Sequence, residues 1–278
     1  MTSDVETPVI YLRPPRGWSA LNLRDLWMYR ELVYFMTWRD IKVRYKQAVL
    51  GISWAILQPL LTMVIFSVIF GNLAKLPSDG IPYSLFSFAG LLPWQLFANG
   101  LSRASTSLVM NSNLLTKVYF PRLIIPFAAV SAALVDFFLA CLVMTGLMIF
   151  FHVTPTWRII WVVPFALLAL LTATAVGLWL SALNVQYRDV QQMVPFLVQA
   201  WMYASPVAYS AGLIPSGKWQ IIYGLNPMAG VIQGFRWALL GAAPPNDLMI
   251  LSSVMVLVIL VTGLFYFKRM ERSFADTV

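Results

Sequence analysis

Apolar residues dominate this chain in long blocks, and charges punctuate the blocks. The longest charge-free stretches are 47–74, 80–102, 137–157, 159–187, 190–217 and 248–267. About 20 mostly apolar residues make a helix that crosses about 30 Å of hydrocarbon. A transmembrane β-barrel would alternate over ten-residue segments instead. The pattern predicts six spans, at roughly 52–74, 83–108, 123–151, 159–182, 191–211 and 248–267.

One further apolar stretch, "IIYGLNPMAGVIQGFRWALLG" at 221–241, is nearly long enough to cross as well. Its punctuation argues that it does not. Gly224 suits a left-handed residue ending one helix. Asn226-Pro227 suits an N-cap followed by proline at the first helical position. Gly241 is a second stop. The stretch reads as two short helices, about 217–223 and 227–240. The longer, at 1.5 Å per residue, reaches about 21 Å and falls short of a crossing. A re-entrant pair at about 217–241 fits better. Its elbow must be covered by protein or line a wet cavity, because bare backbone in hydrocarbon costs several kcal/mol per unpaired group.

Charge sets the orientation. With six spans, fifteen basic residues fall on the side of the termini and four (Lys75, Arg158, Lys218 and Arg236) on the other. The positive-inside rule places both termini in the cytoplasm. A seventh crossing would put Lys268 and Arg269 outside. Overall, 60% of residues are hydrophobic and 11% charged, against about 25% charged in a soluble domain. The fold class is therefore all-α integral membrane: six transmembrane helices, an interfacial amphipathic helix before them and the re-entrant pair between the fifth and sixth.

The rest of the chain divides around this core. Residues 1–20 read as a flexible cytoplasmic leader, with no signal-peptide apolar region. Residues 21–47 read as the interfacial helix region, split by a capping box at Thr37-x-x-Asp40. After the box, Trp38, Ile41 and Tyr45 share a face. The transmembrane domain is 48–272, and 273–278 form a cytoplasmic tail. Cys141 is the single cysteine, so no internal disulfide forms, and the single histidine, His152, has no companions for a metal site.

Three constellations suggest chemistry. In span one, Trp54, Gln58, Thr62 and Phe66 recur every four residues. In span five, Gln199, Tyr203 and Tyr209 form a second polar and aromatic face. Such stripes often serve packing, but amides in a span face protein or water, so these seven are candidate channel-lining residues. The second-to-third loop, "VMNSNLLTKVYFPR", is too polar for lipid yet has an apolar side at Leu114, Leu115, Val118, Tyr119 and Phe120; it reads as a short amphipathic helix that offers a docking surface, or one that rests on headgroups. Asp136 is an intramembrane carboxylate about 21 Å into span three, costing on the order of 3 kcal/mol without a partner. Arg103 is nearest in depth, about 10 Å closer to the cytoplasm. The chain has no G-x-x-x-x-G-K-[ST] phosphate loop, so any ATP-driven motor is a separate chain. Paired carboxylates for an enzyme are also missing from the outer loops, where Asp79 and Asp247 stand singly.

The blocks "YRDVQQMVPFLVQAWMYASPVAYS" and "YGLNPMAGVIQGFRWALLG", with "RYKQAVLGISWAILQPLLTMVIFSVIFG" and "NLLTKVYFPR", resemble the permease subunits of ABC-2-type polysaccharide exporters. The resemblance runs from about Leu21 to Arg272. It implies a dimer that joins two nucleotide-binding ATPase subunits, which carry ATP and Mg; this chain would hold no cofactor. A lipid-linked glycan, O-antigen first among the choices, would pass from cytoplasm to periplasm across a bacterial inner membrane. By position in the family's motifs, the ATPase-coupling element would include Asn113, Leu114, Leu115, Lys117, Tyr119, Phe120 and Arg122. The periplasmic gate would include Gly224, Asn226, Pro227 and Arg236. Other partners implied are membrane lipid, and no nucleic acid. Teichoic acid, capsule or drug export remains open, as does an ion-coupled transporter that uses Asp136.

Overall fold

The architecture is that of a helical bundle, seen in a computed structural model that describes residues 27–46, 51–117, 120–214, 217–244, 248–271 and 274. The leader 1–20, most of the tail and part of the interfacial region lie outside the described residues. In order the helices are α1 (Arg30–Lys46), α2 (Gly51–Phe66), α3 (Tyr83–Met110), α4 (Ser112–Lys117), α5 (Ile124–Ser131), α6 (Ala133–Phe150), α7 (Val162–Gln186), α8 (Val190–Ala204), α9 (Lys218–Gly224), α10 (Pro227–Leu240) and α11 (Leu248–Met270). No strand occurs among the described residues.

Among the described residues, four segments are long and apolar enough to cross a membrane: Ser53–Leu73, Ile124–Phe150, Trp157–Gln186 and Met249–Met270. They match the first, third, fourth and sixth predicted spans. The second, α3, has ample length at 28 residues but carries Arg103 and a run of serines. The fifth is corrected. It was expected to be helical to 211, yet α8 has only 15 residues and stops at Ala204, after which the chain is extended at Ser205.

α3 sits at the centre, and its long contact with α7 depends on small side chains. A Cβ added to Gly177 would stand 2.6 Å from the Cβ of Ala104, and one added to Gly100 would stand 3.1 Å from that of Ala173. Small residues let helix backbones approach closely where lipid supplies no hydrophobic drive. Asn184 of α7 donates to the Ser105 carbonyl of α3 at 2.9 Å inside this seam. α11 covers the other side of α7, where Tyr266 stacks on Trp179 at 4.3 Å.

Two local expectations fail. α1 is one continuous helix through Thr37. The Thr37 hydroxyl donates to the Ala128 carbonyl of α5 at 3.3 Å instead of capping, and Asp40 accepts from Arg39. Tertiary bonding replaces the box. Gly224 does not adopt a positive φ; the positive-φ glycines are Gly80, Gly217 and Gly241. Gly241 does end α10 in the left-handed conformation, with φ at 69°.

Candidate functional site

At the basic end of the bundle, Asp136 is buried on α6 and gathers three donors. Arg103 of α3 reaches it at 2.6 Å and Arg44 of α1 at 2.7 Å. The Tyr45 hydroxyl donates to its other oxygen. Arg103 spans the difference in depth with its long side chain. Burial, reinforced by the bond to Asp136, holds the Tyr45 phenol above its ordinary pKa, so it stays a donor. One carboxylate thus ties α1, α3 and α6 together. Arg44 and Tyr45 were not foreseen; only their place just before span one hinted at them.

The adjacent loop is bolted to the bundle. Leu115 and Phe120 are buried with Met36, Leu108 and Phe274, and Leu114 packs against that cluster. Of the apolar side expected to face a docking partner, Leu115 and Phe120 are covered by the last helix and α1, and Leu114 is partly covered. Asn113 and Lys117 stay exposed. Arg122 holds the loop to the end of α11: its backbone N–H meets Glu271 at 3.3 Å and its guanidinium donates to the Glu271 carbonyl. Arg39 of α1 donates to Asn111 at 2.8 Å. Tyr119 lies outside the described residues.

At the opposite end, the segment after Ala204 leaves helix geometry, and three of its carbonyls, with that of Ala204 itself, are met by side chains from other elements. Asn226 donates to the Ala204 carbonyl at 3.2 Å and to the Ser205 hydroxyl at 2.9 Å. Arg236 donates to Val207 at 2.6 Å and Tyr209 at 3.1 Å. The Tyr83 hydroxyl, at the start of α3, donates to Ala208. Arg236 is 4% exposed. It also donates to the Phe86 carbonyl at 3.2 Å and lies 3.6 Å from the centre of that ring. Gly90 makes room, since a Cβ there would sit 2.8 Å from the guanidinium.

Asn226 is the pivot of this end. Its oxygen caps Met228 at 3.0 Å and accepts from the Trp201 indole at 2.9 Å. Pro227 takes the first turn of α10, as its missing N–H allows. Ser252 of α11 donates to the carbonyls of Gly224 and Asn226. Of these contacts the sequence signalled only the Asn-Pro cap; Tyr83, Trp201, Gly90 and Ser252 carried no local mark.

Between the two ends, α2 and α8 flank α3 and present the two predicted stripes. Trp54 and Gln58 are exposed on α2, and Gln199 and Tyr203 on α8. Thr62 is half-buried, its hydroxyl bonded to the Gln58 carbonyl. Phe66 is 6% exposed and packs into the core. Four-residue steps drift about 40° each on a helix of 3.6 residues per turn, so the stripe turns inward by its fourth member. Its ring meets Phe70 edge-on at 5.4 Å. A cavity of about 80 Å³ brings Phe66 and Phe70 together with Tyr203 and Tyr209.

Residues 31–240 match the ABC-2 type transporter family. The chain is 30% identical over 260 residues to the O-antigen export system permease protein RfbA of Myxococcus xanthus, covering 92% of this chain and 98% of that protein. A protein of the same description from Klebsiella pneumoniae is 28% identical over 248 residues, covering 88% and 94%. The polysialic acid transport protein KpsM of Escherichia coli is 24% identical over 244 residues, covering 84% and 92%.

Proposed function

The chain belongs to the ABC-2 type transporter family, and from that membership we propose that it is the membrane permease of an ATP-driven exporter of a lipid-linked polysaccharide. O-antigen is the favoured cargo, because the relatives from Myxococcus and Klebsiella are described as O-antigen export permeases. The cargo moves from cytoplasm to periplasm. The permease is a transport subunit; ATP and Mg bind two partner ATPase subunits.

In this reading α3 crosses as the second span, and α8 with its extended continuation crosses as the fifth. α9 and α10 dip in from the periplasmic side and return. Both termini are then cytoplasmic in the bacterial inner membrane, with the basic end of the bundle inside. Asn113, Lys117 and Arg122 lie on the ATPase side, presenting a polar face on a loop braced by α1 and α11. Gly224, Asn226, Pro227 and Arg236 form the periplasmic gate.

The observation that carries the reading is the pair of exposed faces on α2 and α8. Gln58, Gln191, Gln192 and Gln199 are exposed there among Trp54, Phe196 and Tyr203. A lone chain would offer these amides to hydrocarbon, where polar side chains are costly. A second copy set against them encloses a wet lumen. Aromatic rings pack on the C–H faces of sugars and amides pair with hydroxyls. Many weak contacts let a polymer slide, since conduction needs binding that is easy to leave.

The test is ATP-dependent glycan uptake into inverted membrane vesicles carrying the permease and its ATPase. Trp54→Ala with Tyr203→Ala should cut uptake at least fivefold while the subunits still copurify. Equal loss of uptake and assembly would mean that the rings are packing. The runner-up, an ion-coupled transporter using Asp136, is disfavoured because that carboxylate is already engaged by three donors. Uptake that follows an ion gradient and ignores ATP would restore it.

A further inference from the structure

A groove of about 850 Å³ opens at the gate end, between the end of α8, α9, the Asn226 elbow and α11. Its volume lies in the range of ligand sites, about 300–1,000 Å³. Leu213, Trp219, Ile222 and Leu225 form much of its wall and are all exposed. Trp201 and Ile259 close the two sides.

The polar groups this wall exposes are already committed, and the Tyr223 hydroxyl, which has no partner, is buried out of reach. The Asn226 oxygen accepts two bonds and its nitrogen donates two, which exhausts a carboxamide's ordinary capacity. The Trp201 N–H is spent on Asn226 and the Tyr209 hydroxyl on the Tyr203 carbonyl. A sugar would find little to pair with here, whereas a hydrocarbon needs only the apolar surface.

Position adds a second argument. On one side the wall continues into α8, where Gln199 and Tyr203 carry the amide and aromatic face. On the other it continues into α11, whose neighbouring Leu257, Val258 and Val261 are exposed on a helix apolar enough to cross a membrane. The groove therefore joins the proposed lumen to the lipid-facing side of the bundle. A cargo that is glycan at one end and hydrocarbon at the other meets both surfaces at once.

We propose that this groove receives the hydrocarbon anchor of the exported lipid-linked glycan as it leaves the pathway near the outer leaflet. The proposal rests on the exporter function above. The polymer stays against the α2 and α8 faces while its anchor slides between α9 and α11 into lipid, so the anchor never crosses the polar lumen wall.

A photoreactive benzophenone side chain introduced at Ile222, in the permease assembled with its ATPase in exporting membranes, tests it. Ile250 on α11 is exposed and outside the groove lining, and serves as the control site. Adducts at 222 should carry radiolabelled glycan at least tenfold above those at 250. A second arm uses purified permease and a photoreactive polyprenyl phosphate. Labelling should fall in the peptide holding Trp219 and Ile222, be suppressed by excess polyprenyl phosphate but not by phosphatidylglycerol, and drop at least fivefold in Ile222→Asp. Export with adducts only to phospholipid, or only to a second copy of the chain, overturns the groove and leaves the exporter standing. Labelling by the polyprenyl phosphate without any ATP-dependent glycan export sinks the exporter and keeps the groove as a hydrocarbon site.

Discussion

The Arg103 guanidinium donates to the Asp136 carboxylate across 2.6 Å, joining α3 to α6 inside the bundle. Asp136 is 9% exposed at its side chain and Arg103 21%. Removing one partner of a buried pair leaves an uncompensated charge, whereas replacing both by apolar groups is often neutral. Asp136→Asn should therefore lower stability by about 3 kcal/mol, read as a fall in the thermal midpoint followed by tryptophan fluorescence in detergent. Arg103→Met added to Asp136→Asn should recover much of the loss. If the double variant is no better than the single one, the pair is not what holds these helices. Arg44→Ala should cost less, because its head is 37% exposed and solvent screens it.

Arg236 makes a different kind of prediction, because its acceptors are carbonyls and not carboxylates. Each buried carbonyl left unmet costs about 1–3 kcal/mol. Arg236→Met strands those of Val207 and Tyr209 together, while Phe86 keeps its bond within α3. Arg236→Lys should rescue little, since an ammonium lacks the planar fork that spans separated acceptors. Gly90→Ala should mimic the defect without touching the arginine, because the new Cβ would meet the guanidinium at 2.8 Å and the Val207 carbonyl at 3.1 Å. A cysteine at Ala208, which is 7% exposed, reads this directly. It should resist a membrane-impermeant maleimide in the parent and react at least tenfold faster in Arg236→Met and Gly90→Ala. Unchanged reactivity in both would show that the segment after α8 does not depend on Arg236.

Asn226 separates capping from bridging. Asn226→Asp keeps an oxygen for the Met228 N–H but loses both donors to Ala204 and Ser205. Loss of an N-cap costs about 1 kcal/mol, and the unmet Ala204 carbonyl adds about 1–3 kcal/mol. Asn226→Ala should be the most destabilising, with Asn226→Asp intermediate, in the same thermal assay. Equal midpoints for parent and Asn226→Asp would reduce this residue to a cap.

The sequence made legible whatever depends on composition and local chemistry. Block length revealed the four most apolar crossing segments, and Asn226-Pro227 with Gly241 marked both ends of α10. The misses share one cause. The end of α8 at Ala204, the burial of Leu115 and Phe120, and the unbroken α1 are all decided by distant partners. Arg236 and Asn226 can hold an unwound segment only once the fold has brought them to it. The stripe on α2 was real as spacing, but its drift, and the π-helical turn at Ser67–Leu73 that follows, settled which members face outward. The burial of Leu115 and Phe120 was invisible in the sequence because it does not show that α1 and the end of α11 pack over them.

The layout itself can be tested at the two ends of the gate pair. α10 has 14 residues, or about 21 Å of helix, against about 30 Å of hydrocarbon. Residues on either side of α9 and α10 should therefore face the same compartment. Gly217 and Gly241 are poor sites for probes, because both have positive φ and a side chain there would strain the backbone. Lys218 and Ala243 are exposed alternatives. Single cysteines at these two positions, in intact cells, should both react with an impermeant maleimide from outside. Cysteines at Lys46 and Arg269 should react only after the membrane is opened. Reaction of Lys218 and Ala243 from opposite faces would mean that the pair crosses. The count of spans would then become odd, and the basic residues at the end of α11 would be placed outside against the charge rule.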